Sequence, residues 1–269
     1  MTPSILVDRV AVDDDGAVLG LVTMNQPDSL NPLDWASALE LGRTFEALAG
    51  DDAVRAVAVT GAGRAFSAGG DMKKYQELQR DPTGFPQFLA DIHGVFSDIA
   101  QYPKPYVALV NGIAVAGGIE LLLSCDLAIA SASARIGDAH LTFGQMGGGG
   151  VLTLLPRAVG PARARELIFS GRMLSAAEAA AWGLVSEVVP DDELLAAGTS
   201  FAVGVSKKSP LAVANAKRTL NAALWEGTGV RAGLRLEREA TARYCLTSED
   251  APEGLSAFAA KRKPAFTGR

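Results

Sequence analysis

Glycine gathers at three places in this chain, positions 61–70, 112–118 and 144–150, each close behind a short apolar stretch. That arrangement constrains the fold more than any other feature. Apolar runs that stop at glycines read as buried strands, and helical spacing resumes beyond them. The spacing predicts strands over 54–59, 106–110 and 127–130, with helices over 85–100 and from Gly117 onward. A hairpin precedes them, with strands at 5–12 and 18–23 around a turn at 13–16. Between hairpin and first inner strand, Asn31 is read as the cap of a helix with Pro32 in its first turn and an apolar stripe from Leu33 to Leu48. Strands alternating with helices imply an α/β core with largely parallel pairing. After Pro190 the pattern becomes helix only, over 194–205, 210–224, 230–246 and 252–261. The expected division is an α/β core over 1–195 and a C-terminal helical region over 196–269. Helices without strands cannot extend the sheet, so they are expected on its edge or on another subunit.

Composition removes several classes of function. Of 269 residues, 48% are hydrophobic and 20% charged, which excludes disordered and fibrous chains. The formal net charge of −5 argues against nucleic acid as the main partner, because phosphate binding needs a basic excess. The most apolar stretch, 106–130, is interrupted by Asn111, Glu120, Ser124 and Asp126, so no membrane span is expected. Cys125 and Cys245 are the only cysteines, too few for a disulfide framework or a four-ligand zinc site. A reducing compartment, by default the cytoplasm, is expected.

The first glycine turn, VTGAGRAFSAGGD, superficially suggests nucleotide binding or a nucleophilic serine. Phe66 occupies the third glycine position of a dinucleotide fingerprint, and no glycine precedes a lysine as a phosphate-binding loop requires. Ser67 has Ala65 where a serine-hydrolase elbow has its first glycine, and His93 and His140 are the only histidines available to a triad. What the turn does offer is backbone. Around Gly70 the side chains are small, and Asp71 can cap a helix through Met72, Tyr75 and Leu78, leaving amides suited to a developing oxyanion. The second turn repeats this, with Gly117 and Gly118 opening a helix whose first turn holds Glu120. A carboxylate there gains from the helix dipole, which suits a base; the alternative is a carboxylate that only decorates a helix end.

The two segments VTGAGRAFSAGGDMKKY and VNGIAVAGGIELLLSCDLAIA resemble the oxyanion-hole segments of the enoyl-CoA hydratase/isomerase (crotonase) superfamily. MNQPDSLNPLDWASALEL, LIFSGRMLSAAEAAAWGLVSEVVP and GLSAFAAKRKPAF are similar to further family stretches, so the resemblance spans nearly the whole chain. It implies a crotonase-like spiral of β-β-α units, with the C-terminal helices closing the pocket and joining subunits into a trimer or a dimer of trimers. It also implies an acyl-CoA substrate, with no separate cofactor and no metal. Gly70 and Gly117 then supply the oxyanion hole. Ala68, Asp71, Lys73, Lys261 and Phe266 fall at the CoA side of the site, and Glu120 on the first catalytic glutamate. The second glutamate is replaced: in ARIGDAHLTFGQMGGGG, His140 stands in its place.

Hydration of a 2-enoyl thioester is the expected reaction, since an imidazole can hold water or donate a proton much as a carboxylic acid does. Alternatives are retro-Claisen or thioester hydrolysis, isomerisation, or a CoA-binding scaffold without turnover. His93, before Pro105, is expected to face either the acyl pocket or solvent. Gly147 to Gly150 offer no carboxylate nucleophile, which argues against a covalent route.

Overall fold

The computed structural model describes residues 3–269. The chain opens with the hairpin β1 (Ile5–Ala11) and β2 (Val18–Met24), then α1 (Trp35–Gly50). Next come β3 (Val54–Gly61), β4 (Ala65–Ser67), α2 (Met72–Leu78) and α3 (Gly84–Asp98). The following unit is β5 (Tyr106–Val110), β6 (Ile113–Val115) and α4 (Gly117–Ser124). After it come β7 (Leu127–Ser131), β8 (Arg135–Gly137), α5 (Val151–Val159) and α6 (Pro161–Ser170). Then β9 (Met173–Ser175), α7 (Ala176–Trp182) and β10 (Glu187–Val189) lead into α8 (Leu194–Ser206), α9 (Pro210–Leu224), α10 (Val230–Thr247) and α11 (Asp250–Ala259).

Two sheets result. The larger runs β1-β2-β3-β5-β7-β10, parallel except for the β1–β2 hairpin, and the smaller runs β4-β6-β8-β9, where only β8–β9 is antiparallel. Each of β3–β4, β5–β6 and β7–β8 therefore steps from the larger sheet to the smaller before a helix returns the chain. This is the β-β-α spiral that the resemblance implies. The four strands of the smaller sheet are three residues long, too short for periodicity to register, and β4 and β6 sit inside stretches that the residues alone suggested only as turns.

Both faces of the larger sheet are buried along its inner strands β3, β5 and β7. Along β5, Tyr106, Ala108 and Val110 face the main core, while Val107 and Leu109 face a second apolar cluster with Ala56, Ala58 and Ile129. Helix α8 covers that second face through Leu194 and Ala202. The expectation that the C-terminal helices lie on the sheet edge or on another subunit is thus corrected for α8. A parallel strand apolar on both faces needs a layer on each side. A second correction concerns Asn31, which does not cap α1. Asp34 does, accepting from the Ser37 amide at 2.9 Å. Asn31 instead adopts a left-handed φ of 54° and ties the first turn together, donating to the carbonyls of Ala62 (2.9 Å) and Ala65 (2.7 Å). Among the described residues, no helix is long and apolar enough to cross a membrane.

Candidate active site

Parallel pairing of β4 with β6 sets the first two glycine turns side by side. Beyond β4 the chain passes Ala68, Gly69 and Gly70 to Asp71, whose carboxylate caps α2 by accepting from the amides of Lys73 (2.9 Å) and Lys74 (3.1 Å). Beyond β6, Ala116 takes φ 51° and ψ −120°, a conformation L-residues rarely adopt, and α4 starts at Gly117. Strain of this kind costs about 1–3 kcal/mol and persists where the surroundings impose it. Here the turns interlock, since a Cβ on Gly69, itself at φ 88°, would stand 2.7 Å from Ala116 Cβ. Gly70 and Gly117 line one cavity, and among the described residues neither amide donates to a protein acceptor.

Glu120, in the first turn of α4, is 4% exposed. Its Oε1 accepts from the amides of Gly149 (2.8 Å) and Val151 (3.3 Å), so the third glycine turn grips the carboxylate from the start of α5. The grip leaves no space at Gly149, where a Cβ would lie 2.7 Å from Glu120 Oε2 and 2.8 Å from Phe96 Cε2. Burial pushes the Glu120 carboxyl above its ordinary range, and the His140 charge and the two amides offset only part of that.

His140 enters from the segment after β8. Its Nε2 is 4.0 Å from Glu120 Oε2, and its Nδ1 is 2.5 Å from Asp138 Oδ1. Burial alone would lower the imidazole, but the Asp138 hydrogen bond and the charges of Glu120 and Asp138 outweigh it, and the group stands above its ordinary value. The site thus holds a buried carboxyl raised above its ordinary value and, 4.0 Å from it, an imidazole biased toward its charged form.

The remaining wall is apolar. Met72 and Tyr75 of α2 and Phe88, Leu89, Ile92 and Phe96 of α3 roof a cavity of about 280 Å³. Of the residues singled out in the sequence, Ala68, Gly70, Gly117, Glu120 and His140 converge on it. Asp71 and Lys73 lie at the start of α2 outside the cavity lining, Lys73 exposed. Lys261 and Phe266 belong to the tail, where the Phe266 ring packs near Gly254 of α11, and neither lines the cavity. His93 is exposed on α3 and outside the cavity. Asp138 escaped the sequence reading. Its one signal was a carboxylate two residues before a histidine, a spacing that carries no meaning until the backbone turns both inward.

Comparison with known proteins gives a consistent outcome. The family described as enoyl-CoA hydratase/isomerase matches residues 14–269. A probable enoyl-CoA hydratase of Rhizobium meliloti (strain 1021) is 40% identical over 262 residues, covering 97% of this chain and 99% of the relative. The 2,3-dehydroadipyl-CoA hydratase of Escherichia coli (strain K12) is 36% identical, covering 93% of this chain and 95% of its own. Among solved structures, an enoyl-CoA hydratase from Bacillus anthracis superposes with a TM-score of 0.92 at 32% identity, covering 99% of this chain and 100% of that one.

Proposed function

This chain belongs to the enoyl-CoA hydratase/isomerase family, and on that premise we propose that it hydrates a 2-enoyl-CoA to a 3-hydroxyacyl-CoA with Glu120 and His140 as its acid–base pair. The observation that carries the reading is the meeting of these two groups, 4.0 Å apart, in a cavity also lined by Gly70 and Gly117. In the proposed reaction the thioester carbonyl accepts hydrogen bonds from the amides of Gly70 and Gly117. Ionised Glu120 removes a proton from water, the resulting hydroxyl bonds to Cβ, and the double-bond electrons move to the carbonyl oxygen as an enolate. The amides stabilise that charge, each by roughly 2.7–4 kcal/mol in comparable sites. The enolate then collapses, Cα takes a proton from the His140 imidazolium, and the proton held by Glu120 returns to the imidazole through solvent. The sum is addition of one water.

CoA enters as part of the substrate, with Ala68, Asp71, Lys73, Lys261 and Phe266 proposed along its path. An apolar roof suits a hydrocarbon acyl group. The direct test is incubation with crotonyl-CoA. Enoyl absorbance should fall without release of free thiol, and free crotonate should neither react nor compete. Release of thiol, or inhibition by the free acid as strong as by the thioester, would overturn the assignment.

The reading also gives residues 196–269 the work of closing the pocket and joining subunits. No residue of α10 is buried, and Val230, Leu234, Leu246, Leu255 and Phe258 are exposed on α10 and α11, apolar surface that association would cover. A homotrimer or dimer of trimers is expected by light scattering at micromolar concentration; a species of 27.9 kDa would remove the claim. Both cysteines are unpaired, in keeping with a reducing compartment such as the cytoplasm.

A further inference from the structure

Asp138 is 1% exposed, on the segment leaving β8. Its Oδ1 lies 2.5 Å from His140 Nδ1, and its Oδ2 has no hydrogen-bond partner among the described residues. No lysine or arginine reaches it within ion-pair distance among those residues. Burying a carboxylate against a single imidazole is an expensive way to hold a loop, because charge is taken out of water with little compensation. A neutral hydrogen-bonding residue would do the structural part at lower cost. The arrangement is economical only if the charge acts on the histidine.

We propose that Asp138 is a positioning residue that fixes the ring orientation and tautomer of His140, so that Nδ1 carries the proton given to Asp138 and Nε2 is the nitrogen presented to the acyl group. The inference rests on the hydration reading for its kinetic part and deepens it. With Nδ1–H committed to Asp138, the ring cannot turn over without breaking the bond. Nε2 is left 4.0 Å from Glu120 Oε2, beyond a normal hydrogen bond and therefore available to substrate. A carboxylate on the far side of the ring also favours imidazolium, the form that delivers the proton to Cα. The charged or titratable groups facing this ring are Asp138 from its own segment and Glu120 from α4. The other titratable group on the cavity wall is Tyr75 of α2, a neutral phenol.

The test combines NMR with a double-mutant cycle. The chain has two histidines, so with exposed His93 as an internal reference the His140 ring resonances are readily assigned. In the parent, titration from about pH 5 to 9 should show Nδ1 protonated throughout and a His140 midpoint above the ordinary imidazole value of 6.5. In Asp138→Asn, the midpoint should fall below the parent's and the tautomer should become mixed or reversed. On crotonyl-CoA, the same variant should lose about 10- to 100-fold in kcat with KM little changed. In a His140→Gln background, adding Asp138→Asn should cost almost nothing further, because the group it positions is gone. An unchanged His140 titration and tautomer in Asp138→Asn would overturn the proposal. So would an equal kcat loss in the parent and His140→Gln backgrounds, since Asp138 would then act by supporting the loop alone. The NMR needs no turnover. If the parent hydrates no enoyl thioester, the hydration reading fails while the titration still decides the role of Asp138.

Discussion

Glu120→Gln should lower kcat on an enoyl-CoA by about 100-fold or more while changing KM little, because it removes a proton acceptor and almost nothing else. Glutamine keeps the shape, and its carbonyl oxygen can still accept from Gly149 and Val151, the bonds that seat Glu120 at 2.8 and 3.3 Å. The same substitution should leave thermal stability at neutral pH unchanged or higher, and the sign follows from burial. The folded state raises the Glu120 carboxyl above its ordinary 4.5. An acid raised in this way favours folding when protonated, and that contribution is lost as pH rises through the folded-state value. Above the folded-state value the parent therefore carries a buried charge that glutamine does not. Loss of activity with an undiminished melting temperature would mark Glu120 as a group kept for chemistry at some expense of stability. Unchanged kcat would reduce it to a helix-end carboxylate.

The second large effect concerns His140. His140→Ala should also lose on the order of 100-fold, the usual contribution of a positioned general acid, and should remove one limb of the pH profile. In the parent, kcat/KM should rise as Glu120 loses its proton above its ordinary 4.5, and fall as His140 loses its own above its ordinary 6.5. Both groups are shifted upward, so the bell should sit to the alkaline side of one built from unshifted groups. In His140→Ala the alkaline limb should vanish and the acid limb persist. A parent rate that rises through the imidazole range instead would make neutral His140 the base and exchange the two roles. A variant with the parent's rate and profile would make His140 a lining residue.

What is new in this site relative to a two-carboxylate pair is the dependence of one partner on a third group. Glu120 is held by backbone amides, whose donors do not titrate, whereas His140 is held by Asp138, whose charge sets the state of the ring. On this reading, chemistry near neutral pH depends on two buried carboxyl groups and a half-buried imidazole drawn from two segments. The third turn is sterically closed as well, since a side chain at Gly149 would meet Glu120 and Phe96.

The sequence by itself determined whatever depends on neighbours within a few positions. The hairpin, the strands at Val54–Gly61 and Tyr106–Val110, the start of α4 at Gly117 and the Asp71 cap of α2 follow from local spacing, turn chemistry and capping. Glu120 and His140 were legible as candidates because residue type and motif position travel with the chain. Tertiary structure decided whatever depends on contacts between distant segments. The three-residue strands exist only through partners such as Ser67 with Ala114, and Asp34 rather than Asn31 caps α1 because Asn31 is drawn to the carbonyls of Ala62 and Ala65. Helix α8 seals the sheet face that no local pattern assigns to it. Asp138 acquires a role only when the backbone beyond β8 turns it and His140 inward toward a glutamate eighteen residues earlier. Burial and pairing set the charge of each group, and both are properties of the packed interior that no stretch of sequence carries alone.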